Sequence, residues 1–334
     1  MSDIHDILCI LAENPYACLI RNNRCNSGIN GYKYKHIVFI REGCAIKKVI
    51  SSALERIGDK TPVKQIKPVS GGSINEAFKL ETESCQYFIK LKKGAPRNFF
   101  KKEAEGLNLI RSTHTSRVPE VYDCADAKGQ DNTGILMLQW IEGQRNNQTE
   151  IKLGQRLAHM HGHESKFYGL KTQTFIGELK QFNGLFTSWV NYYREQRLFQ
   201  QIELGKQRGT IKDKRYKKLI TLLDNLHRFL PDNVAASLLH GDLWGGNWMA
   251  GPEGEPYLID PSVFYGDREM DMAFTEVFGG FSTDFYSAYQ EVYPLSGEYE
   301  DRKALYQLYY LLVHLNLFGE SYGSGVDRIL DYYV

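Results

Sequence analysis

The feature that most constrains this chain is a short polar segment, HGDLWGGN, that directly follows an apolar run. Within it Asp242 and Asn247 are five positions apart, and Asp260 ends a second apolar run, YLID, thirteen positions further on. A polar turn between two strands would explain Asp242 alone. Three oxygen-bearing side chains, each next to a strand-like run, instead indicate one carboxylate that accepts a proton and two oxygen ligands that hold Mg²⁺.

The same spacing occurs in the catalytic loop of protein kinases, H-R-D-L-x-x-x-N, which a magnesium-binding Asp follows. In that arrangement Asp242 is the catalytic base, and Asn247 and Asp260 are the metal ligands. The Phe-Gly that usually follows the second Asp is replaced here by Pro261-Ser262. We therefore predict a phosphotransferase that uses ATP and Mg²⁺.

The chain before this loop contains candidates for an ion pair at the nucleotide. Lys90 follows three apolar or aromatic residues in a strand pattern, and it suits the lysine that contacts the α- and β-phosphates. Glu103 opens the next helical pattern and is the predicted partner of Lys90. The competing assignments are Lys92, Lys93 and Glu105.

Two further segments are predicted to contact the nucleotide. A glycine-rich turn between two strand patterns would let backbone N–H groups approach phosphate, although such a turn taken alone favours a plain hairpin. The run GILMLQWIEG is predicted to end the sheet and to meet adenine through its backbone. The predicted phosphate loop comprises Gly71, Gly72, Ser73 and Asn75, and the predicted adenine contacts are Gln139, Trp140 and Ile141.

Hydrophobic periodicity divides the chain into a strand-rich half and a helical half. A helical pattern occupies 47–57, strand patterns occupy 63–69, 77–81, 87–91, 121–124 and 134–141, and a helix is inserted among the strands at 99–110. Helices are predicted at 151–160, 185–205, 214–230 and 302–318, with short strands at 235–239 and 256–259, and the chain beyond Asp260 is expected to be helical. We predict an α+β, two-lobed protein-kinase-like fold: a small N-terminal β-sheet lobe with one helix at 47–141, and a larger, mainly helical C-terminal lobe at 142–334.

Residues 1–46 differ from the rest of the chain. They are rich in Asn, lack clear periodicity and contain four of the six cysteines. Two hypotheses stay open: a regulatory arm, or a reading frame that begins too far upstream. No C-x-x-C pair occurs, so we expect free thiols in a reducing cytoplasm.

Charge and hydropathy argue against several partners. The chain has 41 basic and 40 acidic residues, which gives no electrostatic reason to expect nucleic acid. No run approaches the ~18 apolar residues of a membrane helix. Asp3 and Asp6 lie where a secretory signal would be positive. We therefore predict a cytoplasmic protein with no membrane partner.

The segments HGDLWGGNW and YLIDPSVFYGDREMDMAF resemble the fructosamine-kinase (ketosamine-3-kinase) family, a branch of the aminoglycoside-kinase and choline-kinase group. GGSINEAF, EAEGL, LGQRLAHMH and QLYYLLVHLNLFG extend the resemblance over about residues 47–334. The resemblance implies ATP-dependent phosphorylation of the carbon 3 hydroxyl of a ketoamine, either a small molecule or a glycated protein. The product would then break down and free the amine, which is a repair of glycation.

By position, the resemblance also implies residues that contact the substrate. Trp244 would flank the ketoamine, with core packing as the alternative. Asp267 and Arg268 would shape the pocket, or form a structural ion pair. Some family members have a cysteine where this chain has Ser73, so a redox switch in the phosphate loop is not expected here.

Two other functions remain as alternatives. One is a kinase for another small hydroxyl compound, such as an aminoglycoside, choline or a free sugar. A polycationic substrate would need an acidic pocket, whereas the segment 160–210 has four glutamates against seven lysines and arginines. The other is a catalytically inactive kinase fold, which the complete set of Lys90, Asp242, Asn247 and Asp260 argues against.

Overall fold

A computed structural model describes residues 46–69, 75–127 and 132–334 of the chain. The N-terminal extension up to residue 45 lies outside these ranges, as do the predicted phosphate-loop residues Gly71, Gly72 and Ser73. Across the described residues, no helix is long and apolar enough to cross a bilayer.

The N-terminal part is a five-stranded antiparallel sheet with the strand order β1-β2-β3-β5-β4. Helix α1 (46–57) precedes the sheet, and helix α2 lies between β3 and β4 in sequence. The elements are β1 Val63–Pro68, β2 Glu76–Thr82, β3 Gln86–Lys93, α2 Phe99–Ser112, β4 Val121–Ala125 and β5 Thr133–Gln139.

Alternation along β3 decides which face of the sheet carries Lys90. Tyr87, Ile89 and Leu91 are buried in a cluster that includes residues of α1. Because successive strand residues point to opposite faces, Lys90 lies on the other face. That face contributes Leu136 to a larger core that also contains residues of α2 and of the C-terminal part.

The C-terminal part is mainly helical. Its helices are α3 Thr149–His161, α4 Trp189–Tyr192, α5 Phe199–Arg208, α6 Asp213–Asn225, α7 Glu269–Thr275, α8 Thr283–Val292, α9 Tyr299–Phe318 and α10 Gly323–Tyr333, and a π-helical segment, Tyr193–Leu198, joins α4 to α5. Its strands are β6 Glu164–Ser165, β7 Thr174–Ile176, β8 Leu179–Gln181, β9 Ala236–Leu239, β10 Trp248–Ala250, β11 Pro256–Leu258 and β12 Phe264–Gly266. The order β12-β9-β6 forms one small sheet, and β10-β11 and β7-β8 form two hairpin pairs.

The predicted α+β arrangement is confirmed, with two local corrections. The chain beyond Asp260 is not wholly helical, because β12 pairs antiparallel with β9. The helix predicted from residue 185 begins at Trp189, since Ser188 Oγ accepts the N–H of Asn191 at 3.2 Å and caps the helix there. The predicted lobe boundary at 141/142 falls between β5 and α3 and stays a prediction.

Candidate active site

The loop between β9 and β10 is held against the loop that follows Asp260. Gly241 has φ +80°, and a Cβ there would lie 2.2 Å from the Ser262 carbonyl oxygen, so only glycine fits. The Ser262 N–H donates to the His240 carbonyl at 2.8 Å. The His240 Nε2 donates to the Ile259 carbonyl at 2.9 Å. These bonds bring the two loops together.

Asp271 braces the same loop from helix α7. Its carboxylate accepts the backbone N–H of His240 at 2.6 Å and that of Gly241 at 2.9 Å. His161 Nε2 lies 3.2 Å from the same carboxylate, and its Nδ1 lies 2.8 Å from Tyr289 Oη. Asp271 is fully buried, so the loop is anchored to the core immediately before Asp242.

Asp242 and Asn247 contact each other across the loop. Asn247 Nδ2 donates to the Asp242 carbonyl at 2.8 Å and to Asp242 Oδ2 at 3.1 Å. Burial, followed by the negative charge of Asp260, raises the pKa of Asp242 to about 7. A carboxyl group with this pKa can accept a proton and release it again near neutral pH.

Lys90 lies between two carboxylates. Its Nζ is 2.8 Å from Glu103 Oε1 and 2.5 Å from Asp260 Oδ1. Burial favours the neutral amine, but the charges of Asp260 and Glu103 raise the pKa of Lys90 above its usual value. The structure thus brings Glu103 to Lys90, whereas Glu105 contacts Lys102 at 2.6 Å.

These groups line a cleft of about 470 Å³ between the sheet and the helical part. Asn75 also lines it, and its Oδ1 is buried without a hydrogen-bond partner in the part of the chain that the structure describes. Of the predicted chemical residues, the cleft contains Asn75, Lys90, Glu103, Asp242, Trp244, Asn247 and Asp260.

Asn247 and Asp260 supply oxygen donors of the kind that Mg²⁺ prefers. Asn247 turns its Nδ2 to Asp242, so its Oδ1 is the atom that could ligate Mg²⁺ at the cleft. Within the described ranges no three His, Cys, Asp or Glu residues cluster as a metal site. Mg²⁺ at a phosphate site keeps several waters and phosphate oxygens, so two protein ligands fit it.

The predicted adenine contacts lie outside this cleft lining. The Gln139 N–H donates to the Glu120 carbonyl at 2.8 Å, so it is not available to a base. Trp140 Nε1 donates to Glu142 at 2.8 Å, and the Ile141 side chain is buried. The structure therefore does not support the Gln139 N–H as an adenine donor.

Of the three predicted substrate residues, Trp244 alone reaches the cleft. It is 40% exposed, so the alternative of core packing is wrong.

The structure does not bring Asp267 and Arg268 to the cleft, nor does it pair them with each other. Asp267 is buried and accepts the hydroxyl of Tyr306 at 2.5 Å, and burial raises its pKa to about 6. Arg268 donates to Tyr289 Oη at 2.9 Å and covers the ring of Tyr293 at 3.7 Å. Both contact residues of the surrounding helices.

Two segments that line the cleft carried no predicted role. One is the β7–β8 hairpin, with Phe175, Ile176 and Gly177, and the other is the end of α9, with His314 and Phe318. The run QLYYLLVHLNLFG contains the second of these segments. Its apolar residues are equally consistent with a helix buried in the core, so the sequence does not indicate a place at the cleft.

Comparison with known proteins agrees with this geometry. The sequence model described as "Fructosamine kinase" matches residues 45–334. The chain belongs to the fructosamine kinase family. The family's kinase activity implies the use of ATP, and the two-lobed kinase-like fold is confirmed by the structural likeness below.

Three relatives illustrate the likeness. A "Probable ketoamine kinase" of Lactiplantibacillus plantarum is 43% identical over 278 residues, covering 82% of this chain and 95% of the relative. A chloroplastic protein-ribulosamine 3-kinase of Arabidopsis thaliana is 36% identical over 285 residues, covering 83% and 85%. The crystal structure of a "Putative fructosamine-3-kinase" from Haemophilus somnus has a TM-score of 0.75 at 29% identity, covering 84% and 95%.

Proposed function

We propose that this fructosamine-family kinase transfers the γ-phosphoryl group of ATP to the carbon 3 hydroxyl of a ketoamine, with Asp242 as the base. The observation that carries the proposal is the position of Asp242, partly buried with a raised pKa, in the same cleft as the Lys90, Glu103 and Asp260 cluster. The names of the relatives, which include ketoamine kinase and ribulosamine 3-kinase, support this choice of acceptor.

In the proposed reaction the carbon 3 oxygen attacks the γ-phosphorus of ATP. The bond between the γ-phosphorus and the β–γ bridging oxygen breaks, and ADP leaves with that electron pair. Asp242 orients the hydroxyl and takes its proton. Phosphoryl transfer depends chiefly on positioning and on charge stabilisation, and the Asp271 brace keeps Asp242 in place.

Lys90 would contact the phosphates, with Glu103 holding its amine in position. Asn247 and Asp260 would hold Mg²⁺, which neutralises charge on the phosphates when bound. The buried Oδ1 of Asn75 lies at the same cleft and supports a polar contact with the nucleotide there. Gly71, Gly72 and Ser73 remain the proposed phosphate loop on sequence grounds.

The proposal extends to the biological outcome. A ketoamine phosphorylated at carbon 3 can eliminate phosphate and release the amine, so the reaction would reverse a glycation. Since ATP is a cytoplasmic metabolite, we place the activity in the cytoplasm. The alternative of an inactive kinase fold has no support in the cleft, because all four predicted chemical groups line it.

An ADP-release assay with Mg²⁺ and ATP tests the proposal. The acceptors are ribulose-lysine, fructose-lysine, choline, kanamycin and free ribose, and Asp242→Asn is the control variant. We expect turnover on a ketoamine and its loss in Asp242→Asn. Turnover only on choline, kanamycin or ribose would show that the acceptor belongs to another class of compound. Absence of turnover on all five acceptors would overturn the proposed reaction.

A further inference from the structure

The β7–β8 hairpin contacts both segments that supply a carboxylate to Lys90. Its strands have three residues each and are joined by a turn in which Gly177 has φ +55°. A hairpin this short is not stable by itself, so its neighbours hold it in place. One side of the hairpin packs on helix α2, which contains Glu103, and the other side is bonded to the loop that follows Asp260.

The contact with α2 is aromatic. The rings of Phe175 and Phe99 meet edge to face, with their centroids 5.0 Å apart and an angle of 61° between the ring planes. Phe99 is the first residue of α2, and Glu103 follows it by four positions. Side chains four positions apart lie on the same face of a helix. Phe175 therefore packs one helical turn away from the carboxylate that contacts Lys90.

The first turn of α2 has little stabilisation of its own. Its N-cap residue, Asn98, has φ 64°, and the Asn98 side chain makes no capping hydrogen bond to the described part of the chain. The first turn also contains no acidic residue, so its position depends on packing. The segment before the hairpin adds one contact, because Lys102 Nζ donates to Thr172 Oγ1 at 3.0 Å. The hairpin turn adds another, since the Glu178 carboxylate lies 3.7 Å from Lys92 Nζ on β3.

The other side of the hairpin is anchored by Ser262. Its Oγ donates to the Phe175 carbonyl at 2.6 Å, and its own carbonyl accepts Gln181 Nε2 at 2.9 Å. Ser262 is buried and stands where protein kinases have the glycine of Asp-Phe-Gly. It follows Asp260 by two positions, so these bonds fix the backbone next to that carboxylate.

The position of Lys90 depends on both carboxylates. Its buried Nζ lies 2.8 Å from Glu103 Oε1 and 2.5 Å from Asp260 Oδ1. A shift of α2 away from β3 would break the contact with Glu103 and let the amine move towards Asp260. The distance between α2 and the loop after Asp260 therefore decides where the amine of Lys90 lies.

We propose that the β7–β8 hairpin is a spacer that keeps the carboxylates of Glu103 and Asp260 on either side of Lys90. Phe175 is its positioning residue on the α2 side, and it acts through Phe99 and Glu103. This inference rests on the proposed function, in which Lys90 contacts the phosphates of ATP. Loosening the spacer moves Lys90 and weakens the binding of ATP.

Substitution of Phe175 tests the spacer by a comparison of two KM values. Phe175→Ala removes the ring, and we expect the KM for ATP at saturating Mg²⁺ to rise by about threefold to tenfold. The KM for the ketoamine should stay near its wild-type value. Phe175→Leu keeps part of the packing, so it should raise the KM for ATP by a smaller factor. It also provides the measurement if Phe175→Ala does not fold.

A double-mutant cycle with Glu103→Gln tests whether Phe175 acts through Glu103. Glu103→Gln keeps the size of the side chain and removes the charge that holds Lys90. In that background Phe175→Ala should change the KM for ATP very little, because the contact through which it acts is already lost. An equal fold-change in both backgrounds would show that Phe175 contacts the nucleotide directly, and it would overturn the spacer.

Hydrogen–deuterium exchange tests the spacer without turnover. In Phe175→Ala the amides of α2 should exchange about threefold to tenfold faster, while those of α8 keep their wild-type rates. Phe229→Ala is the matched control. Phe229 makes an edge contact of the same kind with Tyr333, at 5.1 Å and 71°, and it does not line the cleft. This variant should leave the exchange of α2 and the KM for ATP unchanged.

The outcomes separate this inference from the proposed function. Unchanged exchange of α2 and an unchanged KM for ATP in Phe175→Ala would overturn the spacer and leave the kinase reaction intact. Absence of turnover on every ketoamine in wild type would overturn the proposed reaction, and the exchange of α2 would still decide whether the hairpin holds this helix.

Discussion

The side-chain amide of Asn247 donates to the carboxylate of Asp242, with 3.1 Å between Nδ2 and Oδ2. The same amide donates to the Asp242 carbonyl at 2.8 Å. Both acceptors are oxygen atoms, and an asparagine at position 242 could offer them as well. Asp242→Asn should therefore keep the shape of the loop and remove the charge, which makes it a clean probe of the site.

Asp242→Asn should stabilise the protein, and more so as the pH rises. Burial raises the pKa of Asp242 to about 7, above its value in the unfolded chain, so the ionised form is unfavourable in the folded state. This cost is absent below about pH 4, grows up to about pH 7 and is constant above it. The shift in pKa sets an upper bound of about 4 kcal/mol on this cost. The actual cost is smaller because the side chain keeps contact with water.

Differential scanning fluorimetry between pH 5 and pH 8.5 measures this effect. We expect the Tm of Asp242→Asn to exceed that of wild type by about 3 °C at pH 8, with a smaller difference at pH 5. A difference that shrinks as the pH rises would contradict the raised pKa.

The pH dependence of turnover should report the same group. With Asp242 as the base, kcat/KM for ATP should fall about tenfold per pH unit below a midpoint near pH 7 and level off above it. Under saturating Mg²⁺ and ATP, kcat/KM for the ketoamine should show a lower midpoint, because a cation at Asp260 offsets the charge that helps to raise the Asp242 pKa. A profile that is flat from pH 5.5 to pH 8.5 would exclude Asp242 as the base.

The candidate catalytic and metal-binding residues could be located from the sequence because they lie close together along the chain. Asp242 and Asn247 share one loop, and Asp260 ends the second of two short strand patterns. Lys90 was preferred to Lys92 and Lys93 because three apolar or aromatic residues directly precede it in the strand pattern. The structure adds the distances, but the candidate residues were already named.

Other parts depend on contacts that no local pattern reveals. Strands β7, β8 and β12 have three residues each, too few for a periodic signal. For Asp267 the sequence left a substrate contact and an ion pair with Arg268 open, and it did not reveal the actual partner, Tyr306, because that residue lies 39 positions away. Phe318 resembles a core residue in sequence, and only the fold shows that it lines the cleft.

Asp271→Asn should destabilise the fold, and it should also reduce kcat by more than that loss of stability explains. The Asp271 carboxylate accepts the N–H groups of His240 and Gly241, and an amide offers one oxygen where the carboxylate offers two. One buried N–H would lose its partner, at a cost of about 3 kcal/mol. Because Asp242 follows Gly241 directly, we also expect kcat to fall by about tenfold or more.

Asp267→Asn is the matched control for Asp271→Asn. Asp267 is buried like Asp271 and lies just before α7, the helix that contains Asp271. Its carboxylate accepts the Tyr306 hydroxyl and the Glu269 N–H, and it does not contact the catalytic loop. Only Asp271→Asn should lower kcat strongly, because Asp267 makes no contact with the catalytic loop. Equal losses of kcat at equal losses of Tm would reduce Asp271 to a purely structural residue.

Gln181 links the β7–β8 hairpin to the loop after Asp260, and its removal should loosen the cleft wall. Its Nε2 donates to the Ser262 carbonyl at 2.9 Å and to Thr174 Oγ1 at 2.9 Å. Its Oε1 accepts the hydroxyl of Tyr309 at 2.8 Å. Gln181→Leu would leave all three partners buried without this contact, which should destabilise the fold by about 3 kcal/mol.

The hairpin carries Phe175 and Ile176 into the cleft, so Gln181→Leu should also raise the KM for ATP or for the ketoamine by several fold. Tyr309→Phe removes only one of the three contacts, and it should produce a smaller loss of Tm and a smaller change in KM. Thermal melts and steady-state kinetics on the two variants measure both effects. If Gln181→Leu lowers Tm as expected while both KM values stay at the wild-type level, the hairpin stabilises the fold without shaping the site.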